Sequence, residues 1–523
     1  MFWADRIAKE IISTKKYKPY WVDDMFTPSG FAHIGSLRGP LVHDLIYRAL
    51  IDDKVKASST YIFNDFDPID GLPPELVNKF KQYLGFPLRL APSPEPGFDS
   101  FADYFTSDFQ NVLKNLGVSA KFLSSWNMYH DGKFNEVIKI ALSNAPKIQD
   151  IYQKVSGSKK REKGWLPLQV ICERCGKLGT TRVFAWDGKK VEYSCEPEMV
   201  LWAKGCGYRG KVSPFDGNGK LPWKVDWPAH WKVLGVTIEG AGKDHSSAGG
   251  SRDIAKELCK HVFQYPNPFN LPYEFFLIGG KKMSSSKGLG LKARDLTSLL
   301  PAAVARFLFV RTDFRQTIEF DPLETYAIPD LFDEYDRCFR AYIKGSDENL
   351  ARAFELSQIG KIPARKDIFL PRFRDVANYL QLPSVDLQKK FAEIKGAKLT
   401  ADESTILHER QNYAKIWLAD YAPYETKIEI KEEVPQEAKN LTAAQRKYLK
   451  ELLKVLGKVK DSSSLEKKLY EIAKNSGISA KDAFAAIYLP LLGKTSGPKA
   501  APFLLSLERR TVIKRFQEVT LSS

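Results

Sequence analysis

Four of the six cysteines lie close together in the middle of the chain. Two residues separate Cys172 from Cys175, and ten separate Cys195 from Cys206. A glycine directly follows both Cys175 and Cys206, and glycine suits the tight turn of a metal knuckle. Four thiolates in this pattern suit tetrahedral coordination, and such a closed site is structural rather than catalytic. The sequence therefore predicts one structural Zn²⁺ bound by these four cysteines.

A turn of small residues follows an early β-prone run. It comprises Thr27, Pro28, Ser29, Gly30, Phe31, Ala32, His33, Ile34, Gly35 and Ser36. Small residues let the backbone approach a nucleotide, and a helix that begins near Ser36 presents N–H groups to phosphate. His33 is placed to reach an α-phosphate. An ordinary turn before a helix is the alternative interpretation.

A second loop is rich in glycine, lysine and serine. It runs through Gly279, Gly280, Lys281, Lys282, Met283, Ser284, Ser285, Ser286, Lys287 and Gly288. Lys282 offers a compact cation to a triphosphate, and the serines add hydroxyl and backbone donors. A solvated basic linker would look similar. Because both motifs occur in this order, each after a predicted strand, nucleotide binding is favoured.

The elements that must position these motifs alternate between strand and helix. Residues 19–22 are β-prone, apolar residues recur at helical spacing from Ser36, and residues 59–63 form the next predicted strand. Strand, glycine-containing turn, helix and strand open a doubly wound nucleotide-binding unit. A second α/β stretch contains residues 233–239, a helix over Ser251–Phe263 and the β-prone 273–278. Beyond Ala302 the pattern is helical to the end.

Composition excludes several classes of protein. The chain of 523 residues is too long for one hydrophobic core. It has 43% hydrophobic and 27% charged residues, and the sequence predicts neither a membrane span nor a signal peptide, so we expect a cytoplasmic protein. The formal net charge is +16, and from Leu441 onward basic residues outnumber acidic ones roughly two to one, as a polyanion partner would favour.

The two loop motifs resemble known signatures. His33-Ile34-Gly35-Ser36 resembles the His-Ile-Gly-His signature of class I aminoacyl-tRNA synthetases, and Lys282 to Ser286 resembles their Lys-Met-Ser-Lys-Ser signature. Nearly the whole chain is similar to class I lysyl-tRNA synthetases. That narrower likeness rests on Thr27 to Gly30, Val225 to Pro228, Gly242 to His245 and Tyr488 to Gly493. Ser36, Ser285 and Met25 depart from the family pattern.

The resemblance implies a ligase that activates L-lysine with ATP and Mg²⁺ and transfers it to a lysine tRNA, as a monomer that binds no membrane. By matching position, His33 and Lys282 would be catalytic. The implied ATP-binding residues are Pro28, Ser29, Gly30, His33, Gly35, Ser36, Gly242, Asp244, Lys282, Met283, Ser284, Ser285 and Ser286. The implied lysine pocket contains Thr27, Trp223, His245 and Tyr273. Glu239 joins it on chemistry alone, because a buried ammonium needs a carboxylate partner.

The expected fold is a doubly wound, parallel-sheet Rossmann-type α/β core with a zinc-containing insertion, followed by an all-α C-terminal region. The predicted domains are 1–65 with 231–300 as the two catalytic halves, 66–230 as the insertion with its zinc knuckle at about 165–212, 301–342 as a helical stem-contact junction, and 343–523 as the anticodon-binding region. Two alternatives compete: a class I synthetase for glutamate or cysteine, and a non-catalytic zinc-ribbon protein that binds nucleic acid.

Overall fold

The computed structural model describes residues 1–157, 164–282, 291–382, 385–459 and 461–521. Its helices are α1 Trp3–Thr14, α2 Arg38–Asp52, α3 Val77–Phe80, α4 Phe101–Asn115, α5 Ser125–His130, α6 Asn135–Ser143, α7 Ala145–Ser156, α8 Trp223–Leu234, α9 Lys243–Ser246, α10 Ser251–Leu258, α11 Ala293–Leu299, α12 Ala302–Val310, α13 Ala327–Lys344, α14 Glu348–Ser357, α15 Phe373–Leu380, α16 Leu387–Lys395, α17 Ala401–Ile416, α18 Ala443–Leu456, α19 Ser462–Asn475, α20 Ala480–Leu492, α21 Ala500–Ser506 and α22 Arg509–Leu521. Its strands are β1 Tyr20–Val22, β2 Met25–Phe26, β3 Ala57–Phe63, β4 Lys121–Ser124, β5 Gln169–Val170, β6 Thr181–Trp186, β7 Val191–Cys195, β8 Arg209–Val212, β9 Gly219–Lys220, β10 Ala241–Gly242, β11 Pro272–Tyr273, β12 Phe276–Ile278, β13 Lys281–Lys282 and β14 Ile318–Glu319.

A parallel sheet around β3 forms the centre of the N-terminal part. β1 and then β2 pair along one side of β3, and β4 pairs along the other side. Beyond β1 the sheet continues through parallel bridges from Val22 to Ile238 and from Ile238 to Phe269. The order across the sheet is therefore β4, β3, β1, the Ile238 segment and the Phe269 segment. Chain order reverses between β1 and Ile238, and doubly wound sheets bind ligands at such a switch point.

Local patterning explains the elements beside this switch point. The last residues of β3 are buried, as are Leu41, Leu45 and Ile46 of α2, so the predicted strand and helix are confirmed. A 3₁₀ turn over Ile34–Leu37 leads into α2. Within the predicted second α/β stretch, α8 continues through Leu234, and Ile238 takes part in the sheet through isolated bridges.

Small antiparallel sheets form much of the second half of the insertion. β6, β7 and β8 pair in sequence, and β5 pairs with β9. A core that includes Phe66, Tyr129 and Phe134 lies beneath them, together with side chains of α6, α8 and α10. This core packs elements of the insertion together with α8 and α10, which border the catalytic sheet.

The chain forms two compact units. One comprises residues 1–320 and 337–365, and the other comprises residues 321–336 and 366–523. The second unit is helical in its described residues, as the sequence predicts, and has its own core around Tyr448, Leu452 and Phe503. Its start does not coincide with the predicted boundary at residue 343, and the finer four-part division stays a prediction. In the described ranges, no helix combines the length and the apolarity that crossing a membrane requires.

Candidate active site

The first motif contacts the chain segment that follows the second motif. Leu291 is the first described residue after residues 283–290, and its carbonyl accepts the N–H of Ile34 at 2.8 Å. His33 and Lys292 form an antiparallel bridge between the same two segments. The segment that follows the second motif therefore lies beside the first motif.

His33 is fixed by its own turn. Its Nδ1 accepts the backbone N–H of Ser36 at 3.2 Å and so caps the 3₁₀ turn that opens α2. A ring that accepts at Nδ1 carries its proton at Nε2 when it is neutral. The half-buried His33 thus has a defined orientation and a donor at Nε2.

The second motif begins as a hairpin. β13 pairs antiparallel with β12, and Gly279 and Gly280 form the turn with φ values of 55° and 71°, which glycine adopts readily. Lys282 pairs with Leu277 through its backbone. The remaining predicted residues of this motif, Met283, Ser284, Ser285 and Ser286, lie outside the described residues. Their predicted roles, and that of the Lys282 side chain, stay predictions.

A buried charge network fixes Thr27, which follows β2 directly. The Thr27 hydroxyl donates to Asp67 Oδ2 at 2.8 Å, and Lys220 Nζ lies 2.9 Å from Asp67 Oδ1 and 2.8 Å from Asp226 Oδ2. Tyr129 donates its hydroxyl hydrogen to Asp226 as well. Burial lowers the pKa of Lys220, but the two carboxylates outweigh burial and raise that pKa above its ordinary value. Lys220 therefore stays charged and ties the insertion to the Thr27 turn.

The predicted ATP residues next to Thr27 have close neighbours. Ser29 donates its N–H to the Thr27 carbonyl at 2.9 Å. A Cβ on Gly30 would lie 3.1 Å from Pro73 Cγ, so this position leaves little room for a side chain. Pro28 is buried. The turn is consequently held by backbone bonds and close packing.

Three carboxyl groups are buried around the switch point of the sheet, and we call them the switch-point site. Asp23 and Asp24 follow β1, and Glu239 follows the bridge at Ile238. They are 0%, 8% and 1% exposed. The Arg252 guanidinium opposes them by lowering the pKa of Glu239, although burial lowers the pKa of Arg252 itself to about 10. Burial opposes the ionisation of Asp23 and Glu239, and a cation bound among the three carboxyl groups would favour their charged forms.

Glu239 is held by two tryptophans of α8. Its carboxylate accepts the indole N–H of Trp227 at 2.7 Å and also that of Trp231. Burial raises the pKa of Glu239 to about 7 despite these donors, and the Asp24 carboxylate adds to the rise. Burial and Glu239 likewise raise the pKa of Asp23, which accepts the hydroxyl hydrogen of Thr60. Each negative charge here raises the cost of the next.

Asp24 has one oxygen that lacks a hydrogen bond. Its Oδ1 accepts the N–H of Met25 at 2.9 Å, whereas its buried Oδ2 has no hydrogen-bond partner within the described part of the chain. A Cβ on Gly39 would lie 2.7 Å from Asp24 Oδ2 and 2.8 Å from the Tyr273 hydroxyl oxygen. Only glycine lets α2 come this close to the two groups. The result is a buried carboxylate that lacks the partner it needs.

His43 stands beside Asp24 but does not neutralise it. Its Nδ1 contacts the Gly39 carbonyl at 2.8 Å and lies 3.4 Å from Asp24 Oδ2, while its Nε2 accepts the N–H of Gly240 at 2.7 Å. Burial lowers the pKa of His43, and Asp24 then raises it, with a net rise. Because protonation at Nε2 would break the bond from Gly240, the ring in this geometry is neutral.

An aromatic wall borders the same site. The Trp223 ring lies 5.2 Å from the Trp227 ring and 5.3 Å from the His245 ring, measured between centroids. Trp223 is half-buried and His245 is exposed. Tyr273 in β11 pairs with Gly242 of β10, so it lies at the carboxyl end of a core strand. The predicted residues Trp223, His245 and Tyr273 are therefore all carried by elements at this end of the sheet.

Gly242 and Asp244 form a tight turn after β10. A Cβ on Gly242 would lie 2.8 Å from Asp244 Oδ1, so the missing side chain lets the carboxylate fold back over the backbone. Both residues lie at the entrance to α9, beside Lys243, which pairs with Glu274 at 2.6 Å. This geometry is compatible with the predicted contact to a nucleotide, which stays a prediction.

The four clustered cysteines converge in space. Cys172 Sγ lies 3.6 Å from Cys206 Sγ, Cys175 Sγ lies 3.7 Å from Cys195 Sγ, and all four sulfurs lie within 4.8 Å of one another. Zn–S bonds of about 2.3 Å in a tetrahedron place sulfurs about 3.8 Å apart. The predicted clustering is confirmed, and the sulfur positions fit a zinc ion.

Comparison with known proteins identifies the family. A family model described as class I tRNA synthetases (K) matches residues 1–360, and one described as an anticodon binding domain matches residues 369–520. The chain belongs to the class I lysyl-tRNA synthetase family. This confirms the resemblance seen in the motifs and excludes a non-catalytic zinc-ribbon protein.

Relatives match over their whole length. A lysine–tRNA ligase of Archaeoglobus fulgidus is 34% identical, and one of Methanocaldococcus jannaschii is 35% identical, each over 99% of both chains. A solved glutamate–tRNA synthetase of Elizabethkingia anophelis covers 96% of this chain and 99% of its own, with a TM-score of 0.40 and 12% identity. The last likeness is too distant to support any argument.

Sequence reasoning missed Asp23, Asp24, Gly39 and the special position of His43. A signal was present, because two adjacent acidic residues directly follow the β-prone run at residues 20–22. The carboxyl end of a strand at a switch point is where doubly wound folds place ligand-binding side chains. The contribution of Gly39 could not be read from the sequence, because it depends on how closely α2 approaches Asp24.

Proposed function

We propose that this protein is a lysine–tRNA ligase that activates L-lysine with ATP and transfers it to a lysine tRNA, acting as a monomer. The full-length relatives carry the same name. The observation in this chain that supports lysine is the unpartnered Asp24 oxygen within a cluster of buried carboxyl groups. A buried anion without a counter-charge is costly, and a cationic substrate removes that cost.

Lysine fits this site better than the amino acids of the competing synthetases. Its side-chain ammonium supplies the missing counter-charge for Asp24, and its methylene stem suits the wall of Trp223 and Trp227. Glutamate would place a further carboxylate among buried acids and would be repelled. Cysteine brings no second cation. Thr27, His245 and Tyr273 complete the proposed pocket, and Glu239 contributes negative charge while it anchors the two indoles.

The proposed chemistry is adenylation followed by acyl transfer. The lysine carboxylate attacks the α-phosphorus of ATP, the bond to the β-phosphate oxygen breaks, and pyrophosphate leaves with its Mg²⁺. His33 donates from Nε2 to the α-phosphate, and the loop around Lys282 neutralises the β- and γ-phosphates. A ribose hydroxyl of the terminal tRNA adenosine then attacks the lysyl carbonyl and releases AMP. Positioning and charge stabilisation carry both steps.

The remaining ATP contacts are proposed from their position in the two motifs. Pro28, Ser29, Gly30, Gly35 and Ser36 would present backbone groups to the phosphates at the start of α2. Gly242 and Asp244 would contact the ribose and adenine. Met283, Ser284, Ser285 and Ser286 would follow Lys282 onto the triphosphate.

The four-cysteine cluster would hold one structural Zn²⁺. Cys172, Cys175, Cys195 and Cys206 would all bind as thiolates, and the ion would stabilise the fold of the insertion. The insertion also supplies Lys220, whose contact with Asp67 fixes Thr27. Metal binding thereby supports the shape of the amino-acid pocket without taking part in the reaction.

The deciding experiment is ATP–pyrophosphate exchange with each of the twenty amino acids in turn. Lysine should support exchange far better than glutamate, cysteine or arginine, because only a substrate with the right length and a terminal cation matches the site. Exchange with another amino acid and none with lysine would refute the proposed substrate. The lysine reaction without tRNA also shows whether activation precedes charging.

A further inference from the structure

The C-terminal unit contains a pocket with a volume of about 390 Å³. It lies between α15, the residues that follow α17, and the loop that joins α20 to α21. We call it the base pocket and define it by Tyr326, Arg374, Asn378, Trp417, Lys494 and Lys499. Its size falls in the range of sites that bind small organic groups.

Aromatic rings form one part of the base pocket. Tyr326 is 38% exposed, its ring centroid lies 6.3 Å from that of Trp417, and its hydroxyl is 2.9 Å from Thr426 Oγ1. The guanidinium carbon of Arg374 lies 5.3 Å from the centre of the Tyr326 ring. An exposed ring with an arginine beside it is the kind of surface on which unpaired bases stack.

Positive charge surrounds these rings. Lys427, Lys494 and Lys499 line the pocket together with one acidic residue, Glu425, and with Arg374, which is already paired with Asp330 and Asp333. Lys494 is held in place because its Nζ donates to the carbonyls of Tyr424 at 2.7 Å and Lys427 at 2.8 Å. Lys499 is exposed. A ligand that carries phosphate beside an aromatic base matches this lining.

Asn378 supplies the means to read the edge of a base. Its half-buried side chain lines the pocket, and within the described residues its amide makes no hydrogen bond. An amide offers one acceptor and two donors side by side. Uracil presents the matching pair, a donor at N3 and an acceptor at O4. Cytosine reverses this pattern and requires a flipped amide at the same place.

We propose that the base pocket holds one uridine of the tRNA anticodon, stacked on Tyr326 and read at its edge by Asn378. The inference rests on the proposed function, since lysine anticodons are rich in uridine. It assigns a reading role within the region that matches the anticodon-binding family model. The lysines of the pocket then hold the neighbouring phosphates.

The test compares charging of two lysine tRNA transcripts, one with its native anticodon and one with the middle uridine changed to cytidine. Asn378→Ala and Tyr326→Ala should lower kcat/KM for the native transcript about 10- to 100-fold, as loss of a base contact does. The kcat/KM for the altered transcript should change little, so the preference of each variant for the native transcript falls. Tyr326→Phe keeps the ring and should keep discrimination. Asn475→Ala, an exposed asparagine at the end of α19, is the matched control.

Lysine-dependent pyrophosphate exchange, measured on the same proteins, separates the two proposals. Unchanged exchange in both pocket variants shows that the first unit is intact, and an unchanged melting temperature shows that the second unit is folded. If they retain the discrimination of the wild-type protein, or if the wild-type protein charges both transcripts equally, the base pocket does not read the anticodon. Absence of lysine-dependent exchange in the wild-type protein would instead refute the proposed function.

Discussion

The switch-point site and the base pocket, which we propose bind ligands of opposite charge, are built in opposite ways. Asp23, Asp24 and Glu239 are at most 8% exposed and stand close to one another, so each negative charge among them acts in a region with little water. Lys499 and Tyr326 of the base pocket are exposed, so the charge of Lys499 interacts with its surroundings through solvent. Buried charge discriminates strongly between small substrates, whereas exposed charge attracts a large polyanion and leaves the choice to base contacts.

The contrast explains why each region has its own structural support. A buried acidic cluster persists only if surrounding groups fix it, and the Trp227 indole and the Thr60 hydroxyl do so here. The base pocket needs less reinforcement, since Lys499 remains hydrated and Lys494 is held by backbone carbonyls. We therefore expect changes in the first region to affect activation and charging alike, and changes in the second to affect charging alone.

The largest expected effect on activity comes from a change in the second loop motif, which contains Lys282. Lys282→Ala should slow lysine-dependent exchange about 100- to 1,000-fold. The variant lacks one preorganised positive charge that stabilises the negative charge developing on the phosphates. Charging should fall in parallel. Lys281→Ala, at the neighbouring exposed position, is the control and should remain near the wild-type rate. An unchanged rate in Lys282→Ala would show that the loop is only a linker.

Metal removal tests whether the insertion supports the amino-acid pocket. The purified protein should contain one zinc per chain, and Cys175→Ser should lose it, with a lower melting temperature and a higher KM for lysine. Cys338→Ser removes a buried cysteine outside the cluster and should keep the metal. Metal analysis that finds no zinc in freshly purified wild-type protein would contradict the assignment.

The sequence predicted the parts that depend on local pattern. The strand-turn-helix opening, the helical C-terminal region and the convergence of Cys172 with Cys206 all follow from spacing and residue type. The switch-point site could not be predicted in the same way. Asp24 is important because Gly39 allows α2 to approach it and because His43 is engaged by Gly240, and both facts arise from packing between segments distant in sequence.

Salt should change the KM for tRNA and the KM for lysine to different extents. Raising the salt concentration should increase the KM for tRNA on the order of 10- to 100-fold, since phosphate contacts release counterions when they form. The KM for lysine should change little, because buried charges are poorly screened. Steady-state charging and exchange over the same salt series provide both values. Equal sensitivity of the two KM values would show that the switch-point site is open to solvent.

A smaller effect is expected from pH. The pKa of Glu239 is raised to about 7, so this carboxyl is protonated in the free protein below that pH and ionised above it. A bound lysine cation favours the ionised form. Lysine affinity should therefore rise as pH rises through about 7, and below it each pH unit should weaken binding by up to about tenfold. The KM for ATP, measured at the same pH values, is the control. A KM for lysine that does not change with pH would contradict the raised pKa of Glu239.

Recognition of the side-chain ammonium by Asp24 is tested most directly by comparing lysine with norleucine, which has a similar side chain without the terminal charge. The measurement is the ratio of their kcat/KM values in pyrophosphate exchange for the wild-type protein, Asp24→Asn and the exposed control Asp53→Asn. Loss of one partner from a buried charge pair costs about 2–5 kcal/mol, so Asp24→Asn should lower the preference for lysine by roughly 30-fold or more. Asp53→Asn should retain it. An Asp24→Asn protein that still prefers lysine as strongly as the wild type would contradict the central role of this carboxylate.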